Sequence, residues 1–286
     1  MWGAPAEPGY RILDGLRAAT RYEQLGLSAS APIGMWGYSG GGLASAWAAE
    51  LCQEYAPELN VVGAVLGSPV GDPGSVARRL NCSFFAGLAA LMITALTQVF
   101  PEAQRVVDDH ATDEGKDLLD KLHTMTTAEA VWQLRHVDIG SYVDMTADEL
   151  WDLAEVRHVF EETKLGKSMP APPILIVQAV HDRIISVNDI DELAAVYARG
   201  GVAVTYHRDR FCEHLLLHPL SAPMTLRWLR DRFAGRPVSE HKTRTQWPTL
   251  FNPSTYLGMG KLALITAKVI LGRSVGRHPL SKTDDG

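Results

Sequence analysis

The sequence predicts an α/β protein built on a parallel sheet, and three observations carry that expectation. Two apolar runs of strand length, at residues 60–66 and 172–180, are continuous rather than alternating, as strands buried on both faces are. Segments with apolar residues at helical spacing separate the strand-like runs. The tightest junction, Gly37-Tyr38-Ser39-Gly40-Gly41, sets a serine among glycines between a short apolar run and a helical one.

The elements follow in chain order. Residues 11–25 carry apolar side chains at helical spacing and predict a helix leading into a strand at 32–36. After the serine turn, residues 42–50 read as the first turns of a helix. The strand at 60–66 is ended by Gly67-Ser68-Pro69. Residues 73–169 hold helical patterns and no convincing strand, with helices expected at 84–99, 103–110, 114–122, 127–134 and 147–160. An all-helical cap inserted into the sheet accounts for so long a strandless stretch. The sheet resumes at 172–180, followed by a helix at 189–199, a last strand at 202–207 and a closing helix at 223–233. The tail is polar and proline-bearing to Pro253, then apolar over 256–271. That last stretch reads as an amphipathic helix packed on the body, with contact to a lipid surface, here or through the cap, as the other reading. The organisation expected is 1–72 core, 73–169 cap, 170–236 core and 237–286 tail.

Composition narrows the function classes. The 286 residues carry a net charge of −6 with no basic block, which argues against a nucleic-acid partner. Cys52, Cys82 and Cys212 lie far apart, so no zinc or redox spacing arises, and neither metal nor cofactor is expected. All three are expected to be buried. The first eight residues have neither the basic nor the apolar segment of a signal peptide. No run reaches the length of a membrane-spanning helix, residues 84–96 coming nearest.

A serine between glycines at a strand-to-helix turn is the nucleophile elbow of the α/β-hydrolases. The turn is so tight that the positions two before and two after the serine, Gly37 and Gly41, are expected to have no room for a Cβ. Gly40 offers an unhindered backbone N–H for an oxyanion. The serine needs a base, and the base an acid to hold its tautomer. In this fold they follow in the order Ser, acid, His, at the carboxyl ends of strands. Asp182 stands just past the strand at 172–180, while Asp189, Asp191 and Asp209 compete; the first two open a helix, where capping explains them. His214 and His218 both follow the strand at 202–207, and His214 lies nearer its end.

Taken together, Gly37-Tyr38-Ser39-Gly40-Gly41-Gly42, Gly67-Ser68-Pro69-Val70-Gly71-Asp72, Val180-His181-Asp182, Glu213-His214-Leu215 and the stretch from Trp228 to Pro237 resemble the secretory lipase family of fungi and actinobacteria, whose best-known relatives are the yeast A-type lipases. The resemblance runs from about Tyr10 to Pro237. It implies Ser39 as nucleophile, Asp182 as acid and His214 as base. It also implies acylglycerols or other carboxylic esters as substrates, a helical cap that binds the acyl chain, and a family that is typically secreted. Family members have well over a hundred residues before the elbow, including early strands and one oxyanion donor. The chain is therefore expected to correspond to the C-terminal portion of such an enzyme, with the elbow strand at a sheet edge and the second oxyanion donor absent. A serine peptidase or acyltransferase of the same fold, and a non-catalytic remnant that needs a partner chain, are the rival readings.

Overall fold

The computed structural model describes residues 6–238, 242–246 and 253–275. Helix α1 (Glu7–Arg21) leads to strand β1 (Ile33–Tyr38), which turns at Ser39 into α2 (Gly40–Tyr55). Strand β2 (Val61–Gly67) follows. Seven helices come next: α3 (Pro73–Leu80), α4 (Ala86–Thr97), α5 (Pro101–His110), α6 (Asp113–Leu122), α7 (Thr127–Gln133), α8 (Ala147–Asp152) and α9 (Ala154–Thr163). The sheet then continues through β3 (Ile174–Ala179), α10 (Val187–Arg199), β4 (Val204–Asp209), α11 (His214–Phe233) and β5 (Lys242–Gln246), and α12 (Pro253–Ile270) closes the described chain.

All strand pairs are parallel, in the order β1-β2-β3-β4-β5. The continuous apolar run of β3 is explained by its two faces. Ile174 and Ile176 join the cluster formed with Leu13, Ala46, Leu193 and Tyr197 of the helices on one side. Leu175 and Val177 join Leu217 and Leu229 of α11 on the other. Period-two alternation sends neighbours to opposite faces, and with helices covering both, the run Ile174 to Val177 is apolar throughout. Among the described residues β1 is the first strand of the sheet, with β2 as its one neighbour.

Five expectations are corrected. The strand at 202–207 is not the last, because β5 pairs with β4 from Thr205↔Lys242 to Asp209↔Gln246. Its Lys-Thr-Arg-Thr-Gln sequence has no apolar run and so reads as tail, and pairing with β4 makes it a strand. The helix expected at 147–160 breaks at Leu153, whose ψ of 138° is extended. Leu150 and Trp151 lie nine residues before Val159 and Phe160. At about 100° per residue they would face opposite ways on one straight helix, and the break brings both pairs into one cluster. Helix α3 was not foreseen, although Asp72 caps it by accepting the Ser75 N–H at 2.9 Å and Pro73 opens it.

The closing helix begins at His214, not 223, and contains Pro219 and Pro223. Proline in a helix interior costs about 3 kcal/mol. Leu217, Ser221, Thr225 and Leu229, four residues apart and all buried, form the stripe that seats α11 regardless. Finally, α12 is packed on the body only at its start: Thr255 is buried and Gly258 lies against Pro223, whereas most later residues are exposed.

Candidate functional site

The elbow is built by close approach. Ser39 sits at φ 54°, ψ −120°, a conformation side chains avoid, and its N–H donates to the Gly67 carbonyl at 2.8 Å. A Cβ on Gly37 would overlap the Gly41 carbonyl, so glycine is required there. At Gly41 the expectation fails, for a Cβ would meet nothing within 4 Å. The helix backbone at 41 crowds strand residue 37, but its own Cβ direction points outward. Gly42 is the second obligatory glycine, since a Cβ there would lie 2.9 Å from the Gly67 oxygen. The Leu43 N–H bonds the Ser39 carbonyl at 3.0 Å. The N–H groups of Gly40 and Gly41 therefore precede the first helical hydrogen bond, at the positive end of the helix dipole.

The loop after β3 delivers Asp182. Its Oδ1 accepts the N–H groups of Ile184 and Ile185 at 2.8 and 2.9 Å. Its Oδ2 accepts Gln178 Nε2 at 3.1 Å and His214 Nδ1–H at 2.7 Å. Asp182 and His214 are 2% and 3% exposed, so this charge-bearing pair is out of water. A buried carboxylate needs donors on its lone pairs, and here it has four. With Nδ1–H committed to the acid, the neutral ring keeps Nε2 as its basic nitrogen.

Of the competing aspartates, Asp209 Oδ1 accepts the N–H groups of Phe211 and Cys212 at 2.9 and 2.7 Å. It thus shapes the turn that leads into His214. Asp191 accepts the Tyr206 hydroxyl at 2.7 Å and lies 3.4 Å from Arg208. His218 is exposed and packs its ring 4.6 Å from that of Tyr38.

Tyr38 ties the base to the elbow. Its hydroxyl donates to the His214 carbonyl at 2.6 Å and lies 3.1 Å from Ser68 Oγ, and its ring meets the imidazole edge-on at 5.3 Å. Burial raises its phenol well above the usual range, so it remains a hydroxyl donor. Sequence reasoning passed over Tyr38 as the variable residue of the G-x-S-x-G pattern. It also passed over Gln178, which reads as one more residue of an apolar strand but whose side chain is buried beside the acid. Arg79 of α3 donates to the Asp182 carbonyl at 2.8 Å and so joins the helical insert to the acid loop.

Within the insert lies an apolar cavity of about 110 Å³, walled by side chains such as Ala90, Ile93, Leu118, Leu122, Leu134 and Phe160. Ser39, Asp182 and His214 are not among its walls. Among the described residues no group of three or more His, Cys, Asp or Glu side chains could hold a metal ion. Cys52 and Cys212 are buried as expected, whereas Cys82, at φ 58°, is exposed.

A serine at a strained strand-to-helix turn, with an Asp–His pair delivered by the ends of later parallel strands, defines the α/β-hydrolase class. The chain belongs to the secretory lipase family, whose sequence profile matches residues 1–241. It is 60% identical over 280 residues to a Mycobacterium tuberculosis protein named probable inactive lipase, covering 98% of this chain and 63% of that one. It is 32% identical over 271 residues to lipase A of Arthroderma benhamiae, covering 94% and 58%. A secreted triacylglycerol lipase of Malassezia furfur, LIP5, is 29% identical over 277 residues, covering 94% and 72%. The fold is that of Candida antarctica lipase A, which superposes with a TM-score of 0.80 at 23% identity, over 90% of this chain and 61% of that one. The chain thus spans about three-fifths of the length of several proteins it matches.

Proposed function

We propose that the chain carries the catalytic machinery of a serine hydrolase acting on lipid esters such as acylglycerols. The observation that supports this most is the buried His214–Asp182 hydrogen bond, with Tyr38, the sequence neighbour of Ser39, donating to the His214 carbonyl. On this reading His214 Nε2 takes the Ser39 proton as Oγ attacks the ester carbonyl. The tetrahedral oxyanion is met by the Gly40 N–H at the start of α2. Collapse expels the alcohol, which takes the proton back from His214. Water, deprotonated in turn by His214, then releases the acid and restores Ser39. Asp182 keeps the ring in the working tautomer and stabilises its cation. The apolar cavity of the insert suits an acyl chain, and the triacylglycerol lipases among the relatives support that substrate class.

A second reading, a non-catalytic member, is favoured by one relative's name. An active-site-directed fluorophosphonate separates the two. On the catalytic reading Ser39 is labelled and p-nitrophenyl butyrate is hydrolysed, and Ser39→Ala loses both. Absence of labelling in a folded chain, or unchanged turnover in Ser39→Ala, would overturn the assignment.

A further inference from the structure

Helix α12 presents a problem of solvation. Its exposed residues include Leu257, Leu262, Leu264, Ile265, Val269 and Ile270, between 42% and 77% accessible. Among the described residues it seats its first turns against Pro223 of α11. A helix apolar on all sides is stable when something buries it, and monomeric proteins rarely expose so continuous a patch.

Charge indicates what that something is. Residues 1–240 carry 20 Lys and Arg against 31 Asp and Glu, whereas residues 241–283 carry seven Lys and Arg and no acidic residue. Lys261, Lys268 and Arg273 belong to the described part of this segment. Lys261 and Lys268 are seven residues apart, two turns along one side of the helix, with apolar neighbours around them. Long basic side chains so placed can lay their stems along hydrocarbon and keep the ammonium at the polar boundary. An acidic body bearing a cationic, apolar helix has the polarity of a protein held at a negatively charged hydrocarbon interface. The segment also lies beyond residue 241, where the match to the family profile ends.

We propose that α12 docks the chain on the surface of an anionic lipid bilayer, lying in the interface rather than crossing it. No single described helix is long and apolar enough to span a membrane. Ser39, Asp182 and His214 are not residues of α12, so docking does not depend on hydrolysis.

The test is co-sedimentation of the full chain with vesicles of equimolar phosphatidylglycerol and phosphatidylcholine, beside vesicles of phosphatidylcholine alone. The chain is expected to bind the anionic vesicles at least tenfold more tightly, with that preference lost at high salt. Ile265→Asp with Val269→Asp, both at exposed positions, should weaken binding to both vesicles by about a hundredfold. Lys261→Glu with Lys268→Glu should remove the anionic preference and leave the apolar contact. Ser39→Ala should bind like the parent chain, which separates this result from the fate of the catalytic reading. Equal weak binding to both vesicles, or none, overturns the proposal. So does concentration-dependent dimerisation that the Asp pair abolishes without any vesicle binding, which would assign α12 to a second copy of the chain. Circular dichroism of both double variants establishes that the fold is retained.

Discussion

Tyr38 illustrates how much a single variable position can carry. Removing its hydroxyl leaves the ring against His214 but takes away the donor to the His214 carbonyl. Such a bond is worth about 1 kcal/mol. On the proposed mechanism Tyr38→Phe should lower kcat for p-nitrophenyl butyrate about five- to tenfold with little change in KM. An effect on KM alone would make the tyrosine part of the substrate pocket instead. The two glycines offer a sharper contrast. Gly37→Ala should destabilise the fold by about 3 kcal/mol or more, because the new methyl overlaps backbone that cannot move. Gly41→Ala should be tolerated, its methyl facing open space. Thermal midpoints of the two variants decide it. Pattern reading treats both glycines alike; only the direction of each Cβ tells them apart.

Among the elements, those with strong periodicity or continuous apolar runs were legible. The strands at 60–66 and 172–180 and most helices of the insert fall within a few residues of their expected places. Elements that depend on a partner were not. The first turns of α11 are hidden by two prolines that tertiary packing overrides, and β5 has the composition of a loop until β4 is beside it. The break at Leu153 follows from a requirement of the packed insert rather than from a local breaker. The cavity lies among these helices, and its size can be tested directly. Ile93→Trp, which fills part of it, should shift hydrolysis from long-chain toward short-chain esters if the cavity holds the acyl chain. Unchanged chain-length preference would place the acyl chain elsewhere. Of the candidate site, Asp182 and His214 were named from sequence order and are hydrogen-bonded to each other in the fold, while Gln178 and Arg79 become apparent only when the acid loop is folded.

At the scale of the whole molecule, the two ends of the insert meet where they leave the sheet. The Leu165 N–H donates to the Gly71 carbonyl at 2.9 Å, and Lys164 pairs with Asp72 at 3.2 Å. Behind them Glu50 of α2, only 4% exposed, accepts the Tyr197 hydroxyl at 2.5 Å and the N–H groups of Gly166 and Ser168 at 2.9 and 3.3 Å. Burial raises the Glu50 carboxyl above its ordinary range, against the lowering effect of these donors. The native state therefore holds that proton more tightly than the unfolded chain does. This group costs nothing below the carboxylate range, and its cost grows as pH rises from the ordinary pKa through the raised one. The thermal midpoint of Glu50→Gln, measured against that of the parent from pH 4 to 8, should gain on it across that window. Parallel curves would mean that the donors balance burial, and a Glu50→Gln midpoint that falls behind the parent would mean that they outweigh it.

The same junction has a consequence for how such a protein can change. Entry and exit of a ninety-residue insert meet within one hydrogen bond, so the sheet experiences the whole of α3 to α9 as a single short link. What fills that link is nearly independent of what the sheet requires, since closing a longer or shorter loop between fixed ends changes the entropy only slowly with length. The insert is in this sense an exchangeable cartridge. Helices within it can be exchanged while the strands, the elbow and the Asp–His pair stay as they are, with the Arg79 contact to the acid loop as a point any replacement must reproduce.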